Sequence, residues 1–250
     1  MARKQKKRIF LLSPANLAGP RAEILLKANP NARLARQVQE LGAPLGEVFS
    51  FVSGLYFRGK LAYANAFGVC GAPREESVLV ITSAHGLMPP SAIVGVAELQ
   101  EMAEVEIHPA SRRYRDALER DAARLVSRIG QNDEVVLLGS IATPKYVEPL
   151  LGALGKHLVV PSAFIGLGDM ARGAMMLRAA SELAELEYTS VMGLRSGGHA
   201  ASGSCVIFQP QTTASSQPGS SSCLEVRRKV PRSKSARRRV PRRRVQKSRL

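Results

Sequence analysis

The tetrapeptide Thr82-Ser83-Ala84-His85 sets two hydroxyls and an imidazole at the end of an apolar run. The ordinary pKa of histidine lies nearest neutrality, so His85 is the natural general acid or base here, with Thr82 and Ser83 as hydrogen-bonding or nucleophilic partners. Asp169, in Gly166-Leu167-Gly168-Asp169-Met170-Ala171-Arg172, is a fourth candidate catalytic group. Other residues are suited to holding a ligand. Ser13 and Asn16 follow one apolar run, Ser140 follows another, and Lys145 comes close behind it. Tyr56 offers a ring to stack on a base, while Arg58 and Arg172 offer cations for a phosphate. Each group also has a plainer reading. Small polar residues end strands, Tyr56 and Phe57 can enter a core while Arg58 and Lys60 stay solvated, and Asp169 can cap a helix.

The elements that must position these groups are legible as apolar runs. Arg8 to Ser13, Val78 to Thr82, Glu134 to Leu138 and Leu158 to Val160 read as buried strands, each closing on small polar residues or proline. Helical patterns separate them, over about 21–28, 31–41, 57–67, 111–129 and 144–154, with another running to about Leu186. Residues 45–56 mix helix and strand signals, 91–104 read as a short helix or an irregular crossing, and 188–192 and 204–208 read as two last strands. Alternation of this kind predicts an α/β three-layer sandwich with a mainly parallel central sheet. In such a sheet the carboxyl ends of strands share one edge, where ligands bind, and Ser13–Asn16, Thr82–His85 and Gly139–Thr143 would meet there.

Two motifs tempt a cofactor assignment. Gly166-x-Gly168-x-x-Ala171 has dinucleotide spacing, but it falls late, and no strand ending in Asp or Glu follows at the distance a ribose needs. Its more economical reading is a loop that cradles an anion with Arg172. Beside Lys145-Tyr146 the Tyr-x-x-x-Lys spacing of short-chain dehydrogenases is missing. Cys70, Cys205 and Cys223 are odd in number and widely separated, which argues against a disulfide framework or a zinc site. No cofactor and no metal is expected.

Charge divides the chain. Of 36 Lys and Arg, 5 lie in residues 1–8 and 13 in residues 227–250, leaving 18 to face 19 of the 20 acidic residues. This predicts a basic N-terminal segment (1–8), one nearly neutral α/β domain (9–210) and a disordered linker with a basic tail (211–250). The tail clusters are Arg227, Arg228 and Lys229, then Arg237, Arg238 and Arg239, then Arg242, Arg243 and Arg244. Such a stretch binds nucleic acid or another polyanion by counterion release, with steep salt dependence. No run approaches the length of a membrane span, and Ile9 to Leu12 is too short for a signal-peptide core, so a cytoplasmic protein with no membrane partner is expected.

Leu55-Tyr56 followed by Arg58-Gly59-Lys60, together with Val80-Ile81-Thr82-Ser83-x-x-Gly86-Leu87-x-Pro89, resembles a poorly characterised bacterial α/β domain. The same residues resemble the uracil-DNA-glycosylase-like domain of archaeosine synthase and its tRNA-guanine transglycosylase relatives. The likeness spans roughly residues 50–165 and implies a three-layer α/β sandwich connected with modified nucleobases or RNA. The first strand ends in Ser13-Pro14-Ala15-Asn16 where a Cys-Ser-x-x-Lys turn is the pattern. The expected function is a nucleotide- or nucleobase-handling protein that acts on a glycosidic bond. The alternative is a non-catalytic, nucleic-acid-associated binding protein whose tail supplies the affinity.

Overall fold

A computed structural model describes residues 6–27, 32–70 and 75–196. The predicted strand at 204–208 and the tail lie outside these residues. The elements run β1 (Arg8–Leu12), α1 (Pro20–Leu26), α2 (Arg33–Glu40), β2 (Ala43–Pro44), α3 (Leu45–Ser53), α4 (Leu55–Phe67), β3 (Val78–Ile81) and β4 (Leu87–Met88). There follow β5 (Ile93–Val94), α5 (Val96–Glu104), α6 (Arg112–Val126), β6 (Glu134–Leu138), α7 (Pro144–Leu154), β7 (Leu158–Pro161), α8 (Asp169–Glu182), β8 (Tyr188–Ser190) and α9 (Val191–Ser196).

Six strands form one sheet in the order β4-β3-β1-β6-β7-β8. The inner four are parallel, and β4 and β8 close the edges antiparallel. β1 holds the centre, with Phe10 opposite Val78 on one side and Val136 on the other. The period of two then sorts side chains between faces. Phe10, Leu12, Val80, Val136 and Leu138 join the core beneath α1, α3, α4, α5 and α8, while Ile9, Leu11, Val135, Leu137 and Val160 join the core beneath α6 and α7. Both faces are covered, which is why these strands read as continuous apolar runs rather than alternating ones. β2 and β5 pair separately as a short antiparallel ribbon.

The structure decides several stretches that the sequence leaves open and shortens one predicted strand. The mixed stretch after Leu45 is helical, and Gly54, at φ 62°, ends α3 and starts α4 as separate helices. Glycine takes that left-handed conformation with little penalty, whereas a side chain there is strained. Residues 96–104 form a regular helix, opened by the Glu98 carboxylate accepting the Gly95 amide at 2.9 Å. The predicted strand 188–192 is cut to three residues by α9. No helix among the described residues is long and apolar enough to cross a membrane.

Candidate functional site

After β1 the chain leaves to one side of the sheet to form β3, and after β6 it leaves to the other to form β7. Loops that diverge from adjacent parallel strands leave a crevice at their carboxyl ends. Here that crevice is a cavity of about 570 Å³, a volume suited to a small organic ligand. Its wall takes Ser13 to Ala18 from the loop after β1, Ser140, Lys145 and Tyr146 from beyond β6, and Ser83 from beyond β3. Phe49, Ser53 and Tyr56 come from α3 and α4, Met102 to Ile107 from α5 and the chain beyond it, and Asp169 from the first turn of α8. Each of the three predicted strand ends thus reaches one cavity, the first through Ser13 to Asn16, the second through Ser83 alone and the third through Ser140 alone, joined by Tyr56, Lys145 and Asp169.

The crossing of α4 and α8 builds the deepest wall. A Cβ on Gly59 would stand 2.5 Å from the Gly173 carbonyl oxygen, and one on Gly173 would stand 2.9 Å from the Tyr56 Cα. Only a pair of glycines lets the two backbones approach this closely. Tyr56 stands one turn before Gly59 on α4 and Lys60 follows Gly59 directly, so the approach draws both in. Lys60 is completely buried, donating from Nζ to the Ser13 carbonyl and, at 2.9 Å, to Ser13 Oγ. Its Nζ also lies 4.3 Å from the centre of the Tyr56 ring and 4.9 Å from that of Phe57. Among the described residues it pairs with no carboxylate, so burial dominates and draws its pKa down to about 7, with the more distant Asp169 carboxylate opposing.

Tyr56 Oη is buried beside Ser13 and Arg172 and, among the described residues, closes no hydrogen bond of good geometry. Burial first, and then the Asp169 carboxylate, raise its pKa, so the phenol keeps its proton. Burial likewise raises that of Tyr146, with Tyr56 and Asp169 adding to the effect. The Tyr56 ring has the Lys60 ammonium over it, which leaves its edge and hydroxyl, more than an open face, for a ligand.

The remaining predicted groups are placed as follows. Asp169 reaches the cavity as the first residue of α8, with Gly168 and not Asp169 at the capping position. Arg172 is buried and turned back, giving Nε and Nη2 to the Phe164 carbonyl at 3.2 and 2.9 Å, so it pins the loop and does not line the cavity. Arg58 is exposed in a separate shallow depression with Arg21, Arg33 and Glu47. Asn16 lines the cavity, but its Oδ1 accepts the Ala18 amide at 3.0 Å. Ser83 lines it as well and gives its hydroxyl to the Met102 carbonyl, whereas Ser140 accepts the Ala142 amide at 3.3 Å.

Thr82 and His85 lie off the cavity, in the turn that joins β3 to β4. Thr82 Oγ1 donates to the Gly86 carbonyl at 2.9 Å and accepts the His85 amide at 3.0 Å. His85 Nε2 points away towards α5, 3.3 Å from Glu101 Oε2 without completing a hydrogen bond.

No protein-family model matches the chain, and neither the curated proteins nor the solved structures yield a significant match. The site is therefore read from its own chemistry.

Lys60 is the residue the sequence reading missed. Arg58 and Lys60 read in sequence either as cations for a phosphate or as solvated side chains, yet Tyr56, Lys60, Tyr63 and Phe67 recur at intervals of three and four, which sets Lys60 amid an aromatic helix face. The Tyr-x-x-x-Lys spacing absent at Tyr146 is also present here, in Tyr56-Phe57-Arg58-Gly59-Lys60.

Proposed function

We propose that the crevice binds a nucleobase-class heterocycle, free or as a nucleoside, and that the protein acts on the glycosidic bond of such a ligand. The observation that carries this reading is the character of the cavity wall. It combines the hydroxyls of Ser13, Ser53 and Tyr56 with the aromatic side chains of Phe49 and Tyr146, a mixture that suits a flat ring bearing donors and acceptors. Its carboxylates, Glu104, Glu106 and Asp169, the last paired with Arg172 at 3.6 Å, outnumber Lys145, the one lining cation among the described residues. That balance favours a neutral base or nucleoside over a nucleotide, because a phosphate would meet more negative charge than positive. Asp169 is the carboxylate nearest the Tyr56–Lys60 wall, suited to stabilising positive charge on a sugar as its bond to a base breaks. The likeness of residues 50–165 to a glycosylase-like fold of nucleobase enzymes points the same way.

Thermal melts of the full chain with a panel of bases, nucleosides and nucleoside 5′-phosphates test the reading. A base or nucleoside at about 100 times its Kd is expected to add about 2.7 kcal/mol of stability, phosphates less, and Tyr56→Ala is expected to abolish the gain. Release of free base, followed by chromatography, tests the reaction. Stabilisation only by phosphates, or by nothing in the panel, would sink the proposal.

A second reading rests on the 13 Lys and Arg of residues 227–250. In it the protein is a binding module held on nucleic acid by that stretch, with affinity falling steeply in salt. Replacing the three Arg/Lys clusters with Gln is expected to remove polynucleotide binding at moderate salt; unchanged binding would show that the affinity lies elsewhere.

A further inference from the structure

We infer that Ser13 and Lys60 form a nucleophile and general-base pair that transfers acyl groups, hydrolysing esters or amides of small substrates seated in the crevice. This goes beyond the reading above and holds whether or not the ligand carries a nucleobase.

Geometry carries the inference. Ser13 is 4% exposed, lines the cavity and stands where β1 ends, its amide bonded to the Leu138 carbonyl at 3.1 Å. On its other side is Gly139, where a Cβ would come within 3.0 Å of the Ser13 Cβ and 3.3 Å of its Oγ, so the missing side chain leaves the serine its place. Behind the serine, away from the cavity lining, Lys60 Nζ lies 2.9 Å from Oγ and is held by the Ser13 carbonyl as well. A nucleophile in hydrogen-bond contact with its base, and a base oriented by a further group, is the arrangement that activates a serine.

A buried ammonium without a carboxylate in contact is disfavoured, and among the described residues the ionisable groups acting on Lys60 are Tyr56 on its own helix and Asp169 on α8, with Arg172 beside Tyr56. Lys60 is therefore neutral in a large fraction of molecules near neutral pH. As an amine it keeps one N–H on the Ser13 carbonyl and turns its lone pair to the hydroxyl. Tyr56 Oη, buried, protonated and closing no well-formed hydrogen bond among the described residues, is the donor beside Ser13 for an oxyanion.

The reaction balances with water as co-substrate. Ser13 Oγ attacks the acyl carbon as its proton passes to Lys60 Nζ, and the tetrahedral oxyanion collapses to an acyl-serine. The C–O or C–N bond to the leaving group breaks, and that group departs with the proton from the Lys60 ammonium. Water then attacks the acyl carbon and gives a proton to Lys60, which returns it to Ser13 Oγ as the carboxylic acid leaves.

The test treats the full wild-type chain with p-nitrophenyl acetate and, separately, with an alkyl fluorophosphonate, and maps adducts by peptide mass spectrometry. The expected result is modification at Ser13, with p-nitrophenolate release rising through a midpoint near pH 7. Ser13→Ala should remove the adduct, and Lys60→Met should slow its formation by about 100-fold or more. Absence of any adduct on Ser13 of the folded wild-type protein overturns the proposal. So does a Ser13 adduct whose rate shows no midpoint between about pH 6 and about pH 9, a result that needs no variant to fold.

Discussion

The hairpin turn at Thr82–Gly86 and the wall made by Ser13, Tyr56 and Lys60 are both polar and largely buried, yet they differ in how their hydrogen bonds are spent. In the turn, Thr82 Oγ1 serves the Gly86 carbonyl and the His85 amide, and the Leu87 amide is taken by Asp121 at 3.0 Å. These bonds close a tight connection between β3 and β4; His85 Nε2, also without a completed hydrogen bond among the described residues, points to α5 and away from the cavity. In the wall, among the described residues, Tyr56 Oη closes no well-formed hydrogen bond and Lys60 is buried without a carboxylate in contact. Polar groups consumed by their own turn hold structure together. Groups left short of partners at a cavity are costly to the fold and available to a ligand.

The sharpest way to break the wall is Gly59→Ala, which sets a methyl group against the Gly173 carbonyl at 2.5 Å. Backbone cannot yield as a flexible side chain does, so a loss of about 3 kcal/mol or more is expected in urea unfolding. A neutral result would mean that α4 and α8 can separate without cost.

Lys60→Met is expected to stabilise the protein at pH 6 by about 1 to 4 kcal/mol, with the gain shrinking as pH rises. The pKa of Lys60, about 7 in the fold, lies below its ordinary 10.5, so between those values the unfolded chain binds a proton that the folded chain does not. Stability of the wild type therefore rises with pH across that window, and the whole penalty of burying the charge is present below it. Denaturation midpoints of both proteins from pH 6 to pH 10 check this, and a constant difference would show that Lys60 is not the group responsible.

On the hairpin, Thr82→Val removes two bonds while keeping the shape of the side chain, at an expected cost of about 1 to 3 kcal/mol. His85→Ala should change stability by less than about 1 kcal/mol and leave ligand-induced stabilisation intact. If His85→Ala instead abolished that stabilisation, the hairpin would be the functional element and the wall its scaffold.

Much of the architecture was legible residue by residue. Runs such as Val78-Leu79-Val80-Ile81 and Glu134-Val135-Val136-Leu137-Leu138 carry strand identity locally, because a strand covered on both faces needs apolar side chains at successive positions. The convergence of Ser13, Ser83 and Ser140 also followed, since parallel strands bring their carboxyl ends to one edge. The direction of His85 did not follow, because the two-residue β4 folds back on β3 and turns the imidazole from the crevice. Arg172 was misjudged for a similar reason: the loop before α8 curls so that its Phe164 carbonyl meets the guanidinium.

Fold class, strand order in the chain and the edge where polar residues gather are thus written in local composition, which acts through the periods of helix and strand. The chemistry of the site arises elsewhere. Gly59 and Gly173 stand far apart in the chain, and nothing in either helix alone calls for the other. Once they meet, Lys60 loses water, gains Ser13 and becomes a base near neutral pH. Desolvation depends on every neighbour that packs around a group, so it is set only when the tertiary contacts close.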